Sequence, residues 1–326
     1  ERAIRNNIIY IIRKDHVKVT IIIPCYNASA YIASSISSIQ SQTLTDWEMI
    51  IVDDGSTDNS ADIVQQFSNK DPRIKLVQKA NGGTASARKL GLEHATGEYI
   101  QFLDADDSID TDKLSIQVRF MQQHSLDVSY TDWCMIDTNG KKDATRGLQC
   151  SLIRLLCFWG PLGTIPLHSF MYKHAFLKAH QITIPTHIKE REDWDFHLSV
   201  FSHHPKAKRI EKYCGAFYTK SPTGKTTGAS HDTVQLGTFR YILYKTHQEH
   251  GYKKLLLYLR FSMELCIWFY RLIRLDTKRQ LAIYISLKNS VDFWKTWIIG
   301  ICMLPISLPI TLISILTNRL QHRSTL

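Results

Sequence analysis

From Val17 to Asp106 short apolar runs alternate with stretches whose apolar residues recur at helix spacing, a pattern that predicts a doubly wound α/β sheet. Val19 to Pro24, Glu48 to Val52, Ile74 to Val77 and Tyr99 to Leu103 read as strands. Tyr31 to Gln40, Ser60 to Phe67 and Ala85 to His94, each opened by a turn signal, read as helices. Ligands of such sheets sit beyond the carboxyl ends of the strands. Those ends are Cys25-Tyr26-Asn27, Asp53-Asp54-Gly55-Ser56 and Asp104-Ala105-Asp106-Asp107.

A second region, from about Leu126 to Phe217, has a mixed α/β pattern and closes on a strand-like stretch, Tyr213 to Tyr218. Within it, Glu190-Arg191-Glu192-Asp193-Trp194-Asp195 reads as a helix start, because carboxylates favour a first turn. Thr219 to Thr233, rich in Gly, Ser, Thr and Lys, is a loop by composition. In Lys253 to Arg274 the charged residues Arg260, Glu264, Arg271 and Arg274 fall on one narrow helical stripe. This suits either a helix lying in a membrane interface or a helix packed on the domain with one wet edge. Thr296 to Asn318 carries no charge and is long enough to cross a bilayer. Pro305 and Pro309 within it favour a kinked span or a re-entrant hairpin. The expected organisation is an extension over 1–16, a ligand-binding half over 17–125, a second half over 126–235, and a helical, basic, membrane-associated region over 236–326.

Charge sharpens this picture. The chain of 326 residues has a net charge of +10, and residues 251–326, with eleven Lys and Arg against three Asp and Glu, hold +8 of it. The basic tail is interleaved with apolar runs, which fits an anionic membrane surface and not a nucleic-acid groove. The seven cysteines form no C-x-x-C pair and no zinc spacing, so they are expected to be free packing thiols in a reducing compartment. Ile8 to Ile12 is too short an apolar run for a signal peptide or a span, and secretion finds no support.

The chemistry is concentrated in Phe102-Leu103-Asp104-Ala105-Asp106-Asp107, three carboxylates at the end of an apolar strand. A diphosphate sits beside carboxylates only when a divalent cation bridges them, and hard oxygen ligands select Mg²⁺ or Mn²⁺. Such a cation also stabilises charge on a leaving nucleoside diphosphate. Taken alone, acidic residues after a strand serve equally as turn residues and helix caps.

The companions of this segment decide between the two. Val19-Thr20-Ile21-Ile22-Ile23-Pro24-Cys25-Tyr26-Asn27, then Ile50-Ile51-Val52-Asp53-Asp54-Gly55-Ser56-Thr57-Asp58, then Asn81-Gly82-Gly83-Thr84-Ala85-Ser86-Ala87-Arg88, and then the D-x-D strand, closely resemble the family 2 glycosyltransferases of GT-A fold. The resemblance runs from about Val17 to Tyr218, with four motifs in the family's order and spacing. It implies a Rossmann-like mixed sheet, a nucleotide-sugar donor and a single inverting displacement. It assigns Pro24, Tyr26, Asn27 and Asp54 to the nucleotide base, with Tyr26 as a stacking face and Asp54 accepting the imide N–H of uracil. A turn cap onto Ser56 or Thr57 is the other reading of Asp54. The resemblance implies that Gly82 and Gly83 let the backbone pass close to the nucleotide. Arg88 steadies the D-x-D carboxylates or the phosphates, or is a surface helix residue. By the family pattern Asp106 is the metal ligand and Asp104 lies near the ribose or the metal's water shell.

Glu192-Asp193-Trp194-Asp195-Phe196 resembles the family's E-D motif, whose Asp takes the proton from the acceptor hydroxyl, so Asp193 is the expected general base. The alternative is that these acids cap a helix and pair with Lys189 or Arg191, with Asp195 in that lesser role. The Thr219 to Thr233 loop, with Lys220, Lys225 and His231, is a candidate lid over the diphosphate, and His231 a candidate metal ligand. The family's processive synthases carry a Q-x-x-R-W motif after E-D, absent here. Addition of a single sugar to a glycan or lipid-linked acceptor at the cytoplasmic face of the cell membrane is therefore expected, with a UDP-sugar as donor. A nucleotidyltransferase would need a basic Gly-rich loop after the first strand, where Pro24-Cys25-Tyr26-Asn27 stands. A membrane-attached binding scaffold with an inactive transferase fold is the alternative from outside enzymology.

Overall fold

The computed structural model describes residues 18–136, 142–145, 150–158, 165–187, 191–219, 238, 241, 242, 244–246 and 248–273, the side chains of 142, 144, 145, 156–158, 252 and 266–273 excepted. They fall into two compact units. The first is drawn from Glu1–Arg146, Ile165–His187 and His203–Thr219, the second from Gly147–Thr164, Ile188–Ser202 and Lys220–Leu326.

The first unit is a mixed sheet. Strands β1 (Val19–Cys25), β2 (Trp47–Asp53), β3 (Ile74–Gln78) and β4 (Tyr99–Phe102) run parallel in the order β3-β2-β1-β4. Helices α1 (Ile32–Gln40), α2 (Ser60–Ser68) and α3 (Thr84–His94) make the crossovers. Every residue of β1 and β2 is buried, the continuous burial that central parallel strands require. The buried Glu48 carboxylate is satisfied inside the sheet: Thr20 Oγ1 donates to Glu48 Oε1 at 2.7 Å, and the Thr96 N–H donates to the same oxygen at 2.8 Å.

Beyond β4 the sheet turns antiparallel. A short strand β5 (Ser108–Ile109) and helix α4 (Lys113–Gln123) lead to β6 (Val128–Ile136), which pairs with β7 (Lys142–Thr145). Strand β8 (Phe170–Lys173) lies between β4 and β6, and β9 (Ala207–Thr219) runs parallel to β6 and antiparallel to β5. A short helix α6 (His174–Ala179) follows β8.

The β6–β9 pairing corrects the expectation that the cysteines are all free thiols. The register slips on either side of Asp132, and Cys134 and Cys214 are joined by a disulfide with their Cα atoms 6.0 Å apart. These residues are 80 apart in the chain, so no local spacing announced them. Cys25 does behave as a packing residue: burial pushes its thiol up to about 12.

The second unit contains helices α5 (Leu152–Phe158), α7 (Glu192–Ser202) and α8 (Gly251–Ile273). Its centre is Trp194, fully buried, whose indole N–H donates to the Leu155 carbonyl at 2.7 Å. The Tyr241 ring lies 4.6 Å from the Trp194 ring, and the Arg260 guanidinium 5.8 Å from it. The stripe expected on α8 as a wet or lipid-facing edge is therefore corrected in its first half. Arg260 and Glu264 are buried and pair with each other at 2.5 Å, because mutual neutralisation lets two i, i+4 charges enter the interior. Arg271 and Arg274 have no described side chain, and Thr296 to Asn318 lies outside the described residues. Among the described residues no helix is long and apolar enough to cross a membrane.

Candidate active site

The carboxyl ends of β1, β2 and β4 lie side by side, and each carries one of the motifs read from the sequence. Pro24 sits near the end of β1 opposite Val52, past the point where the β1–β4 ladder stops at Ile22 and Phe102. There the missing N–H of proline breaks no pairing. Tyr26 follows with half its surface exposed, leaving a ring face open beside the strand ends. Asn27 takes a left-handed conformation (φ 48°), which asparagine tolerates better than most residues. Its side-chain oxygen accepts the Thr57 N–H at 2.8 Å, and its own N–H donates to Ser56 Oγ at 3.0 Å. The first two motifs are thus stitched together.

Asp54 lies at the centre of this arrangement. Its N–H donates to the Cys25 carbonyl at 2.8 Å, and its side chain is buried. Oδ1 accepts from Gly82 N–H at 2.9 Å and from Lys79 Nζ at 2.6 Å, while Oδ2 accepts from Gly83 N–H at 2.7 Å. Ser56 and Thr57 are capped by Asp53 and Asn27 instead, so the turn-cap reading of Asp54 gives way to contacts across the cleft with the third motif. Gly83 starts α3 at φ +88°, a backbone setting that suits glycine.

From α3, the buried Arg88 reaches the acidic loop, its Nη2 donating to Asp104 Oδ1 at 2.5 Å. The loop backbone is pinned by Ser35 Oγ, which lies 2.7 Å from both the Ala105 and the Asp107 carbonyls. Burial first, and then the neighbouring Asp107 and Asp104, push the Asp106 carboxyl up to about 6. Asp107 is almost wholly buried, which raises its pKa against the opposing pull of His168. Its Oδ1 accepts the Thr219 N–H at 2.8 Å, joining the loop to the end of β9.

His168 is a site residue that the sequence reading missed. It follows Pro166 in a 3-10 turn, Leu167–Ser169, with no motif around it, and reaches the loop only because β8 pairs with β4. It is buried, with Nδ1 3.0 Å from Asp107 Oδ2 yet out of line for a hydrogen bond, and among the described residues both ring nitrogens lack a hydrogen-bond partner. One donor atom from each of Asp104, Asp107 and His168 falls within 4.8 Å of the others. Two carboxylates and an unbonded imidazole suit Mn²⁺ or a similar divalent cation, and crowded carboxyls such as Asp106 call for positive charge, so the residues fit a metal.

Asp193 and Asp195 belong to the second unit, in the first turn of α7. The Asp193 carboxylate accepts its neighbour's Trp194 N–H at 2.8 Å. Asp195 accepts from the Tyr241 hydroxyl at 2.9 Å and pairs with Lys245. Arg191 donates to Thr238 Oγ1 at 2.8 Å, and Lys189 lies outside the described residues. Lys220, Lys225 and His231 lie outside the described residues.

The family model described as glycosyl transferase family 2 matches residues 20–180, which hold the first three motifs, the acidic loop and His168. The chain belongs to that family. Among curated relatives, this family 2 chain is 44% identical over 123 residues to a putative teichuronic acid biosynthesis glycosyltransferase of Bacillus subtilis, a match covering 37% of the chain and 49% of the relative. The chain spans half or less of the length of the first curated relatives it matches. Among solved structures, residues 1–349 of S. aureus TarS in complex with UDP-GlcNAc match with a TM-score of 0.59 at 22% identity, over 87% of this chain and 79% of that one. A mannosyltransferase from Pyrobaculum calidifontis in complex with GDP-Man and Mn²⁺ matches with a TM-score of 0.53 at 16% identity, over 92% and 85%. At these identities the two structures establish the fold, a mixed α/β GT-A sheet.

Proposed function

We propose that this family 2 chain transfers one sugar from a UDP-sugar to a hydroxyl of a glycan or lipid-linked acceptor in cell-surface polysaccharide synthesis. The observation that carries the proposal is the placement of an acidic loop with a raised carboxyl beside a rigid, glycine-lined carboxylate frame at the carboxyl ends of one sheet. The fold's relative in complex with UDP-GlcNAc and a relative named for teichuronic acid biosynthesis support the donor and the pathway class.

In this reading the uracil stacks on Tyr26 and gives its imide proton to Asp54, with Pro24, Asn27 and Gly83 shaping the surface around it. Arg88 holds Asp104 near the ribose and the phosphates. Asp106, assigned by resemblance, and the converging donors of Asp104, Asp107 and His168 are the candidate ligands for Mn²⁺ or Mg²⁺. When bound, such a cation neutralises the diphosphate and stabilises it as a leaving group. Asp193 removes the proton of the acceptor hydroxyl as its oxygen attacks the anomeric carbon from the side opposite the diphosphate, which inverts that centre. The basic composition of residues 251–326 holds the enzyme against anionic lipid at the cytoplasmic face of the membrane. The chain then co-sediments with anionic and not with zwitterionic vesicles; binding to neither removes this part of the reading.

Release of nucleoside diphosphate from a panel of nucleotide sugars, with Mn²⁺, Mg²⁺ or chelator, tests the whole. Turnover of a UDP-sugar that needs metal, is abolished in Asp106→Ala and falls at least a hundredfold with added acceptor in Asp193→Asn is expected. A chain that neither turns over any donor nor binds UDP with metal in a calorimeter is not a transferase of this kind.

A further inference from the structure

We propose that Lys79 reads the nucleotide base together with Asp54, as the donor half of a donor–acceptor pair that selects an N–H flanked by a carbonyl. The inference rests on the reading of this cleft as a UDP-sugar site and names a residue to which neither the motifs nor that reading gave a role. Lys79 follows the last residue of β3, and its backbone N–H is tied to the Asp53 carbonyl at 3.0 Å. Its Nζ lies 2.6 Å from Asp54 Oδ1 and 2.5 Å from the Ala80 carbonyl. The two side chains are 20% and 3% exposed, so the pair is held in place and largely dry.

Counting donors and acceptors shows what this pair offers a ligand. A carboxylate has about four lone-pair positions. Among the described residues Asp54 spends two on Oδ1, to Lys79 and Gly82, and one on Oδ2, to Gly83. One position on Oδ2 is left for an incoming N–H. An ammonium has three N–H bonds, and among the described residues Lys79 uses two, on Asp54 and Ala80. The third is left for an incoming carbonyl. An acceptor beside a donor matches the N3–H of uracil beside one of its carbonyls. Cytosine presents a bare N3, which would set a lone pair against the carboxylate, and an amino group in place of the C4 carbonyl, which on that side would set N–H bonds against the ammonium. The simpler role, in which Lys79 only offsets the charge of the buried Asp54, predicts no sensitivity to the base carbonyl.

Calorimetric binding of UDP, 4-thio-UDP and 2-thio-UDP to the full chain with Mn²⁺ separates these roles, because each analogue keeps N3–H and weakens one carbonyl as an acceptor. The parent should prefer UDP over one of the two analogues by at least fivefold. Lys79→Met should bind UDP and that analogue equally, while Lys79→Arg, which keeps a cationic donor, retains the preference. A parent that binds all three alike overturns the proposal without any variant. So does a Lys79→Met chain that weakens all three by one factor and keeps the thio preference. A parent that binds no UDP at all is a different failure, that of the nucleotide-site reading.

Discussion

Replacing Asp106 by asparagine should make the metal-free protein more stable. The Asp106 carboxyl is pushed up to about 6 from an ordinary 3.8, first by burial and then by Asp107 and Asp104. The folded chain therefore holds this proton more tightly than the unfolded chain does. Above pH 6 the charged side chain opposes folding, and as the pH falls through 6 toward 3.8 that opposition is relieved. Taken at face value the shift corresponds to about 3 kcal/mol at neutral pH. Asp106 keeps some contact with solvent, and screening brings the expected effect down to about 1–2 kcal/mol. Asp106→Asn keeps the shape, removes the charge and should gain that amount in urea unfolding at pH 7.5 with chelator, the gain fading to nothing below about pH 4. Adding Mn²⁺ should raise the stability of the parent and leave the variant nearly unchanged. A variant less stable than the parent at pH 7.5, or a gain of equal size at both pH values, would refute the reasoning.

Two further predictions concern the scaffold beneath the site. Burial alone would raise the Glu48 carboxyl, but hydrogen bonds from Lys75, Thr96 and Thr20 outweigh it and hold the group at about 2. Its stabilising contribution is complete above pH 4.5 and is lost as the pH falls through 2, so Glu48→Gln should cost about 2–3 kcal/mol at pH 7 and about a quarter of that at pH 2.5. Urea titrations of both chains across that range decide it, and a pH-independent difference counts against the assignment. At Gly91 on α3 an added Cβ would stand 2.4 Å from Ile22 Cγ2 of β1. Gly91→Ala, despite its better helix propensity, should lose about 1–2 kcal/mol through overpacking. A rise in melting temperature would show that the helix can move away.

Residues 19–102 were legible because β1, β2 and β4 are fully buried, which writes them as mostly apolar runs between helices of regular spacing. The observed β1 to β4 and α1 to α3 differ from the expected spans by one residue at one end, or at both ends for β2. The second half of the sheet was not, and its residues show why. Helix α4 carries Lys113 and Gln117 into the interior, where the ammonium donates to Gln101 at 2.5 Å and Gln117 at 2.6 Å while burial drives its pKa well below the usual lysine value. The apolar stripe of Leu114, Val118 and Met121 on this helix is therefore diluted by polar residues buried beside it. Strand β9 alternates charged and half-buried residues along most of its thirteen positions, so only its last turn of apolar residues stood out. At the site, the motif residues were visible because each is local to one strand end. His168 and the Cys134–Cys214 pair arise from pairings between distant strands and leave no mark on any one segment.

The charges of the site follow one rule. Asp54 is met by Lys79 and Asp104 by Arg88, two basic side chains that are themselves buried or half-buried. Each such pairing fixes the carboxylate as acceptor in one place, which is what recognition of a base or a ribose needs, and each reduces the carboxylate's appetite for a cation. Asp106 stands among these paired groups as the carboxyl raised by its neighbours rather than quieted by a cation. A divalent cation gains most from the carboxylate that gains most from it, so electrostatics alone ranks Asp106 ahead of the Arg88-paired Asp104 for metal affinity, although Asp104 is one of the residues whose donor atoms converge with His168. Loss of metal affinity should accordingly be larger in Asp106→Ala than in Asp104→Ala. The opposite order would mean that convergence of ligand atoms outweighs local charge in this loop.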